Sequence, residues 1–267
     1  MPRTPKASRA KVELDLNTRI GVVGGADMFK LTEVLRMRPA EVETPFGKAR
    51  INFGEGELAD LIFIARHGSE NELLPHQINY RANLKALEQH GVQRVVATFA
   101  VSSLFEELPP GDLVVMDQFI DLAGEVATFH DSHQAGDIQP DLADPFCRGL
   151  SQGLVEHISE KGLSVRGTGT YACLGGPRRE TAAEVRMLRI VQAHVVGMTA
   201  APETILAREL GLHYAAVGSI IQWAAGIKGT IKSNSKTVSG GPSRLLSSIL
   251  DALRAPELAR CSCRPTL

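Results

Sequence analysis

The chain has 267 residues, of which 43% are hydrophobic and 22% charged, with a formal net charge of −1 at pH 7. These values are typical of a globular protein with one sizeable core. The small net charge gives no electrostatic reason to expect binding to nucleic acid or a membrane, and no apolar run is long enough to span a bilayer. Residues 1–17 are basic, lack the apolar stretch of a secretory signal and are predicted to form a flexible tail. The globular domain is predicted over 18–254, followed by a C-terminal tail over 255–267.

Short apolar strands alternate with amphipathic helices along the chain. The predicted strands are rich in β-branched residues, which is typical of strands buried on both faces, and they are Arg19–Gly24, Leu61–Ala65, Arg94–Val101, Leu113–Ile120, His194–Thr199 and Tyr214–Ile221. Apolar residues recur with helical spacing in Gln77–His90, Thr181–Ala193, Pro202–Leu210 and Ser243–Leu253. This alternation predicts a single-domain α/β fold with a mixed central β-sheet flanked by helices.

Glycines and polar side chains follow most of the predicted strands, at the sheet edge where α/β proteins bind ligands. Gly24-Gly25-Ala26-Asp27 follows the first strand and Arg66-His67-Gly68 follows the second. A guanidinium beside glycine-rich turns suits an anion such as phosphate. On this pattern alone, the glycine pair is more often a plain turn, and the alternative for Arg66 is a surface salt-bridge partner.

The four cysteines are too few for a secreted disulfide scaffold, which favours a cytoplasmic protein. Cys147 and Cys173 are interpreted as ordinary buried thiols. Cys261 and Cys263 are separated by one serine, and no further metal ligand stands near them in the sequence. No metal site is therefore predicted, and this pair is interpreted as redox-sensitive or incidental.

Several motifs along the chain match one enzyme family in their order. They are RHG and PHQINYRAN within 66–83, PGD and DQFID within 110–121, DPFC at 144–147, GTY and GPR within 169–178, and GMT, PE and LARE within 197–209. Over about residues 19–227 the chain resembles the methylthioadenosine phosphorylases and purine nucleoside phosphorylases. The resemblance implies the nucleoside phosphorylase fold, usually as a homotrimer with active sites near subunit interfaces.

The resemblance also implies a pentosyl transfer. Inorganic phosphate, the co-substrate, attacks C1′ of a purine nucleoside, such as 5′-methylthioadenosine or 5′-methylthioinosine. The products are the free base and a ribose 1-phosphate, and no metal or organic cofactor is expected. The phosphate-binding residues that it implies are Arg66, His67, Ala100 and Thr199.

Two positions on the phosphate side depart from the family pattern. Ala26-Asp27 stands where the family has a hydroxyl residue followed by glycine, so a donor is lost and a carboxylate that would repel phosphate is gained. Phe99 replaces a small polar residue and is assigned to the substrate pocket, which its bulk would narrow. These departures suggest altered phosphate binding.

The sugar site is less defined by the sequence. Met198 matches a family residue that packs under the ribose, although a core methionine would fit the same pattern. His130, His133 and Asp137 lie in a polar loop that resembles the family's variable region near the 5′ position of the sugar.

At the base site, Glu180 and Gln222 are the predicted catalytic residues. Glu180 matches a family carboxylate that accepts a hydrogen bond from N1–H of a 6-oxopurine, whereas N1 of adenine is itself an acceptor. The alternative for Glu180 is a carboxylate that complements a helix N-terminus. Gln222 keeps an amide donor for O6 and N7. Arg179 and Trp223 complete the predicted substrate-binding residues, with Arg179 either stacking on the base or neutralising Glu180.

Three functions remain open on this reading. The first is an active phosphorylase that prefers 6-oxopurine nucleosides such as 5′-methylthioinosine or inosine. The second is a diverged family member that binds a ligand with little turnover. The third is a nucleosidase that uses water in place of phosphate, for which Asp27 is the one candidate base.

Overall fold

The computed structural model describes residues 18–26, 28, 30–124, 127–130, 140–227, 241–261 and 263. The tail predicted over 1–17, together with Asp27, His133 and Asp137, lies outside this part of the chain. No helix within it is both long and apolar enough to cross a membrane.

The described residues form a nine-stranded mixed sheet with the spatial order β2-β3-β4-β1-β5-β8-β7-β6-β9. The strands are β1 (Ile20–Gly24), β2 (Arg38–Thr44), β3 (Gly47–Phe53), β4 (Leu61–Ala65), β5 (Arg94–Ser103), β6 (Leu113–Leu122), β7 (Val165–Leu174), β8 (Val195–Gly197) and β9 (His213–Trp223). β5 also pairs with β9, so strands β5, β8, β7, β6 and β9 close into a ring. The predicted mixed α/β fold is confirmed.

Helices cover the sheet and pack on it through their buried apolar residues. They are α1 (Leu31–Val34), α2 (Tyr80–Gln89), α3 (Arg148–Glu160), α4 (Ala182–Ile190), α5 (Ala200–Glu209) and α6 (Gly241–Arg254). Helices α2 and α5 pack together over one hydrophobic core, and α3 and α6 pack together over a second core. A smaller third cluster lies under α4.

The predicted strands and helices all occur, with ends that differ by a few residues, but three strands and two helices are additional. β2 and β3 form an antiparallel hairpin whose outward side chains are mostly charged, and in β3 only Ala49 and Ile51 are buried. In the first half of β7, Val165-Arg166 is followed by alternating glycine and threonine instead of an apolar run. A search for continuous apolar runs misses both patterns, because each strand has an exposed portion.

Helix α3 was also not predicted. Its buried residues Leu150, Leu154 and Ile158 recur every fourth position, as a helix requires. Gly149 and Gly153 each precede one of these leucines and lower the helix propensity of the segment, which conceals the pattern.

The C-terminal segment predicted as a tail packs against the domain in its described part. Pro256–Arg260 form a 3-10 helix beside α3, and Leu258 is buried in the core that α3 and α6 share. This contact brings Cys261 and Cys263 next to the start of α3.

Candidate active site

A cleft of about 180 Å³ opens where the carboxyl ends of β1, β4, β5, β7, β8 and β9 meet. This is the edge at which the strand-end argument predicted ligand-binding residues. Nine of the ten predicted site residues line it: Arg66, His67, Phe99, Ala100, Arg179, Glu180, Met198, Thr199 and Gln222.

Trp223 is the predicted site residue that the structure does not bring to the cleft. Along β9, Gln222 pairs with Ser102 of β5 and Trp223 pairs with Ser103. Trp223 is absent from the residues that line the cleft, although the two residues before it, Ile221 and Gln222, both line it. His130, from the loop expected near the sugar, does not line this cleft either.

Arg66 is buried and held by a carboxylate that the sequence reading did not assign. Its Nε donates to Glu203 Oε2 at 2.6 Å and its Nη2 to Glu203 Oε1 at 2.8 Å, while Nη1 donates to the carbonyl of Thr98 at 2.7 Å. Tyr214 Oη donates to the same Glu203 carboxylate at 2.8 Å. Burial by itself would lower the pKa of Arg66, but the carboxylate of Glu203 outweighs that cost and raises it. Arg66 is therefore a fixed positive charge at the floor of the cleft.

Phe99 covers one face of the Arg66 guanidinium, with the Cζ atom 4.0 Å from the ring centroid. Both side chains are almost completely buried. Of the five N–H groups of a guanidinium, three donate to Glu203 and Thr98, and two have no partner among the described residues. Those two N–H groups are all that Arg66 has left for a phosphate ion, and Ala26, which also lines the cleft, supplies no hydroxyl.

Thr199 offers a hydroxyl at the N-terminus of α5. It occupies the N-cap position but its side chain makes no capping hydrogen bond, and its backbone N–H donates to Tyr171 Oη at 3.2 Å. The hydroxyl is thus available to the cleft, where the positive end of the ten-residue helix favours an anion. Thr199 and Arg66 together suit phosphate.

His67 has a fixed tautomer. Its Nδ1 lies 2.9 Å from the carbonyl oxygen of Leu73, which can only accept, so Nδ1 carries the proton. Burial, with a smaller contribution from the Arg66 charge, lowers the pKa of His67 below its ordinary value. At neutral pH the ring is uncharged and Nε2 is an acceptor, so it can accept a hydrogen bond from the hydroxyl of hydrogen phosphate or of the sugar.

Glu180 is at the opposite end of the cleft with its side chain 4% exposed. Its Oε1 accepts from the backbone N–H of Ala225 at 3.1 Å and from Arg179 Nη2 at 3.3 Å. Oε2 has no partner among the described residues, so one acceptor remains for a ligand. Of the two roles predicted for Arg179, the geometry shows the partial neutralisation of Glu180.

Glu180 does not cap the following helix. Thr181 is the N-cap of α4, and its hydroxyl accepts from the backbone N–H of Glu184 at 3.2 Å. The Glu184 carboxylate in turn accepts from the backbone N–H of Thr181 at 2.7 Å. The helix N-terminus is satisfied without Glu180, which leaves that carboxylate directed at the cleft.

Gln222 is held by a neighbour that the sequence reading left without a role. Its Nε2 donates to Ser102 Oγ at 3.0 Å. An amide nitrogen carries two N–H groups, so one further donor is available to a ligand. Ser102 lines the cleft beside it and keeps its own hydroxyl hydrogen.

Met198 lines the cleft next to Gly176. A Cβ added at Gly176 would lie 2.7 Å from Met198 Sδ, so glycine at this position makes room for the methionine. This close contact fixes an apolar side chain on the wall where the sugar is predicted.

Glu203 and Tyr214 are the principal residues that the sequence reading missed. Glu203 belongs to the PE motif at 202–203, which by itself does not indicate a partner for the carboxylate. Helix α5 is almost entirely buried, and a buried carboxylate must be paired. A glutamate in this helix therefore indicates an ion pair.

The chain is similar in sequence and in structure to known nucleoside phosphorylases. A family model described as the phosphorylase superfamily matches residues 19–251. The chain is 38% identical over 259 residues to the 6-oxopurine nucleoside phosphorylase of Pyrococcus furiosus, covering 93% of this chain and 97% of that one. It is 38% identical over 261 residues to the S-methyl-5′-thioadenosine phosphorylase of Pyrococcus horikoshii, with coverage of 93% and 97%. The solved methylthioadenosine phosphorylase from Schistosoma mansoni in complex with tubercidin is similar with a TM-score of 0.78 and 28% identity, over 90% of this chain and 91% of that one.

Proposed function

Because this chain belongs to the phosphorylase superfamily and catalyses the phosphorolysis of purine nucleosides, we propose that its preferred substrates are nucleosides of a 6-oxopurine. The enzyme is a pentosyltransferase, and phosphate is the co-substrate that accepts the pentosyl group. The observation that carries the proposal is the buried Glu180 carboxylate, which has an acceptor oxygen left over at the end of the cleft opposite Arg66.

The chemistry of the base explains the preference. A 6-oxopurine carries a hydrogen on N1, which a carboxylate accepts, whereas adenine presents a lone pair at N1 that a carboxylate would repel. The remaining N–H of Gln222 suits O6 or N7, both of which are acceptors. A hydrogen bond at N7 stabilises the charge that develops on the departing base.

At the other end of the cleft, Arg66, Thr199 and the uncharged His67 are proposed to hold phosphate below the sugar. Ala100 lines the same part of the cleft. The family relationship favours phosphorolysis over a binding protein without turnover. A nucleosidase needs a base for water, and among the described cleft residues Glu180 is the one carboxylate, situated at the base end.

We propose that the reaction requires no metal or organic cofactor in the cleft, because the residues there supply the donors and acceptors named above.

We also propose a homotrimer, as the family resemblance implies. Helix α4 exposes Met187 and Ile190, and Val191 follows it, so an apolar face is available for contact between subunits. Sedimentation velocity should then give the mass of three chains, and the mass of one chain would contradict this. The cytoplasmic location stays a prediction.

The substrate proposal is tested by measuring kcat/KM for inosine, 5′-methylthioinosine, adenosine and 5′-methylthioadenosine at saturating phosphate. We expect each 6-oxopurine nucleoside to exceed its 6-amino counterpart by at least about 100-fold, because a polar site rejects a ligand that leaves its groups unpaired. The two pairs are matched at the sugar, so a difference reports on the base alone. Equal or higher values for the 6-amino nucleosides would contradict the proposal.

Replacing Phe99 by threonine is expected to lower the KM for phosphate about tenfold, since one added hydrogen bond to an anion is worth about 1.5 kcal/mol or more. The change uncovers the Arg66 guanidinium and supplies a hydroxyl. The KM for the nucleoside should change little. Phe99→Leu is the control, because it shortens the apolar side chain without adding a donor, and its KM for phosphate should stay closer to the parent value. No decrease in Phe99→Thr would show that the ring does not limit phosphate binding.

A further inference from the structure

Four potential metal ligands meet outside the cleft, although they come from three distant parts of the chain. Cys147 is the N-cap of α3, His213 is the first residue of β9, and Cys261 and Cys263 belong to the C-terminal segment. The three sulfur atoms and one ring nitrogen of the histidine all lie within 4.8 Å of one another. Cys147 and His213 are buried, and the other two residues are partly buried.

The distances are close to those of a tetrahedral site. Cys147 Sγ lies 3.4 Å from Cys261 Sγ and 3.6 Å from His213 Nδ1, while Cys263 Sγ lies 3.1 Å from His213 Nδ1 and 2.9 Å from Cys261 Sγ. Around a zinc ion with bonds of about 2.3 Å to sulfur and 2.0–2.1 Å to nitrogen, tetrahedral ligand atoms are separated by about 3.6–3.8 Å. The Cys147–His213 distance already matches, and the Cys147–Cys261 and Cys263–His213 distances are short by about 0.4–0.5 Å. The sulfur atoms of Cys261 and Cys263 would have to move apart by about 0.9 Å.

The surroundings favour negatively charged sulfur. The N-terminus of α3, at Cys147, places the positive end of a 13-residue helix against the cluster. Arg208 Nη1 donates to the backbone carbonyl of Cys263 at 2.8 Å, which brings a second positive charge close.

We propose that Cys147, His213, Cys261 and Cys263 bind one zinc ion in a closed, four-coordinate site that fastens the C-terminal segment to α3 and β9. Thiolate and imidazole ligands select zinc over the oxygen-preferring cations. Four protein ligands leave no open position for a substrate, which is the arrangement of a structural site and not of a catalytic one. The site is separate from the nucleoside cleft, none of whose lining residues it shares.

No metal site is predicted from the sequence, because Cys261 and Cys263 provide only two ligands. The fold supplies the other two from positions far away in sequence. The segment between α6 and Cys261 is a short 3-10 helix with Leu258 as its buried anchor, so an ion would add a second point of attachment.

The test is zinc content of the full chain, purified under reducing conditions and then incubated with Zn²⁺ and desalted. We expect about one equivalent per chain by elemental mass spectrometry. The double variant Cys261→Ser/Cys263→Ser should retain less than about a tenth of this, since two of four ligands are lost. Cys173→Ser is the matched control, because Cys173 is buried outside the cluster, and it should bind zinc like the parent.

Cobalt provides a second readout that does not depend on stability. Co²⁺ added to the reduced, metal-free chain should give the thiolate charge-transfer and visible bands of tetrahedral coordination, which the double variant should lack. Three results would overturn the proposal: no zinc in the parent after incubation, equal zinc in the double variant, or a disulfide between Cys261 and Cys263 that persists under reducing conditions and leaves two thiols titratable.

Discussion

Glu203→Gln is expected to lower the free energy of unfolding by about 3–5 kcal/mol, because it removes the counter-ion of a buried guanidinium. Arg66 donates two hydrogen bonds to the Glu203 carboxylate, at 2.6 and 2.8 Å, and both side chains are at most 2% exposed. The substitution preserves the shape of the side chain, so the loss reports on charge. Arg66 cannot avoid the cost by deprotonating, because a guanidinium stays protonated in proteins. Urea denaturation followed by circular dichroism measures the change.

Tyr214→Phe is the control for Glu203→Gln. It removes the one hydrogen bond that Tyr214 donates to the carboxylate and leaves the ion pair in place, so a loss of only about 0.5–1.5 kcal/mol is expected. If Glu203→Gln cost no more than Tyr214→Phe, the ion pair would not be the element that holds Arg66 at the floor of the cleft.

Glu180→Gln is expected to reduce kcat/KM for inosine at least about 100-fold, the size of effect seen when one well-placed hydrogen bond to the reacting group is lost. Glu180 Oε1 already accepts from the backbone N–H of Ala225. A glutamine must keep its oxygen toward that N–H, which turns its NH₂ group toward N1–H of the base. Two donors then face each other where an acceptor is needed. Activity on adenosine should fall much less, because N1 of adenine is an acceptor.

Glu184→Gln is the matched control for this variant. It makes the same chemical change one helical turn away, in a carboxylate that pairs with Arg178 and Thr181 and does not line the cleft. Its kinetics should be close to those of the parent. Equal losses on inosine and adenosine in Glu180→Gln would indicate that Glu180 supports the loop at Ala225 and does not recognise the base.

The strands that carry the cleft could be predicted because they are buried on both faces, and continuous apolar runs such as Leu61–Ala65 record that burial directly. The hairpin of β2 and β3 could not be found in this way, since one of its faces is exposed. The ring closed by the β5–β9 pairing also leaves no local trace, because it depends on residues more than a hundred positions apart.

For the site, the sequence predicts which residues line the cleft better than it predicts which of them are joined by hydrogen bonds or ion pairs. Arg66 and Glu180 were both expected at the cleft, and both line it. The sequence could not show that Arg66 is paired with Glu203 or that Thr181 and Glu184 satisfy the start of α4, because each of these depends on which hydrogen bonds the fold completes. The cluster of Cys147 and His213 with the two C-terminal cysteines could not be predicted either, because the fold brings together residues that are far apart in sequence.

The most direct test of the account is the initial rate of hypoxanthine release from inosine as phosphate is raised from zero. A phosphorylase should give a rate that is negligible without phosphate and rises to saturation with it, with ribose 1-phosphate formed in equal amount to hypoxanthine. A rate independent of phosphate, with free ribose as the sugar product, would contradict it and show that water takes the place of phosphate at Arg66 and Thr199.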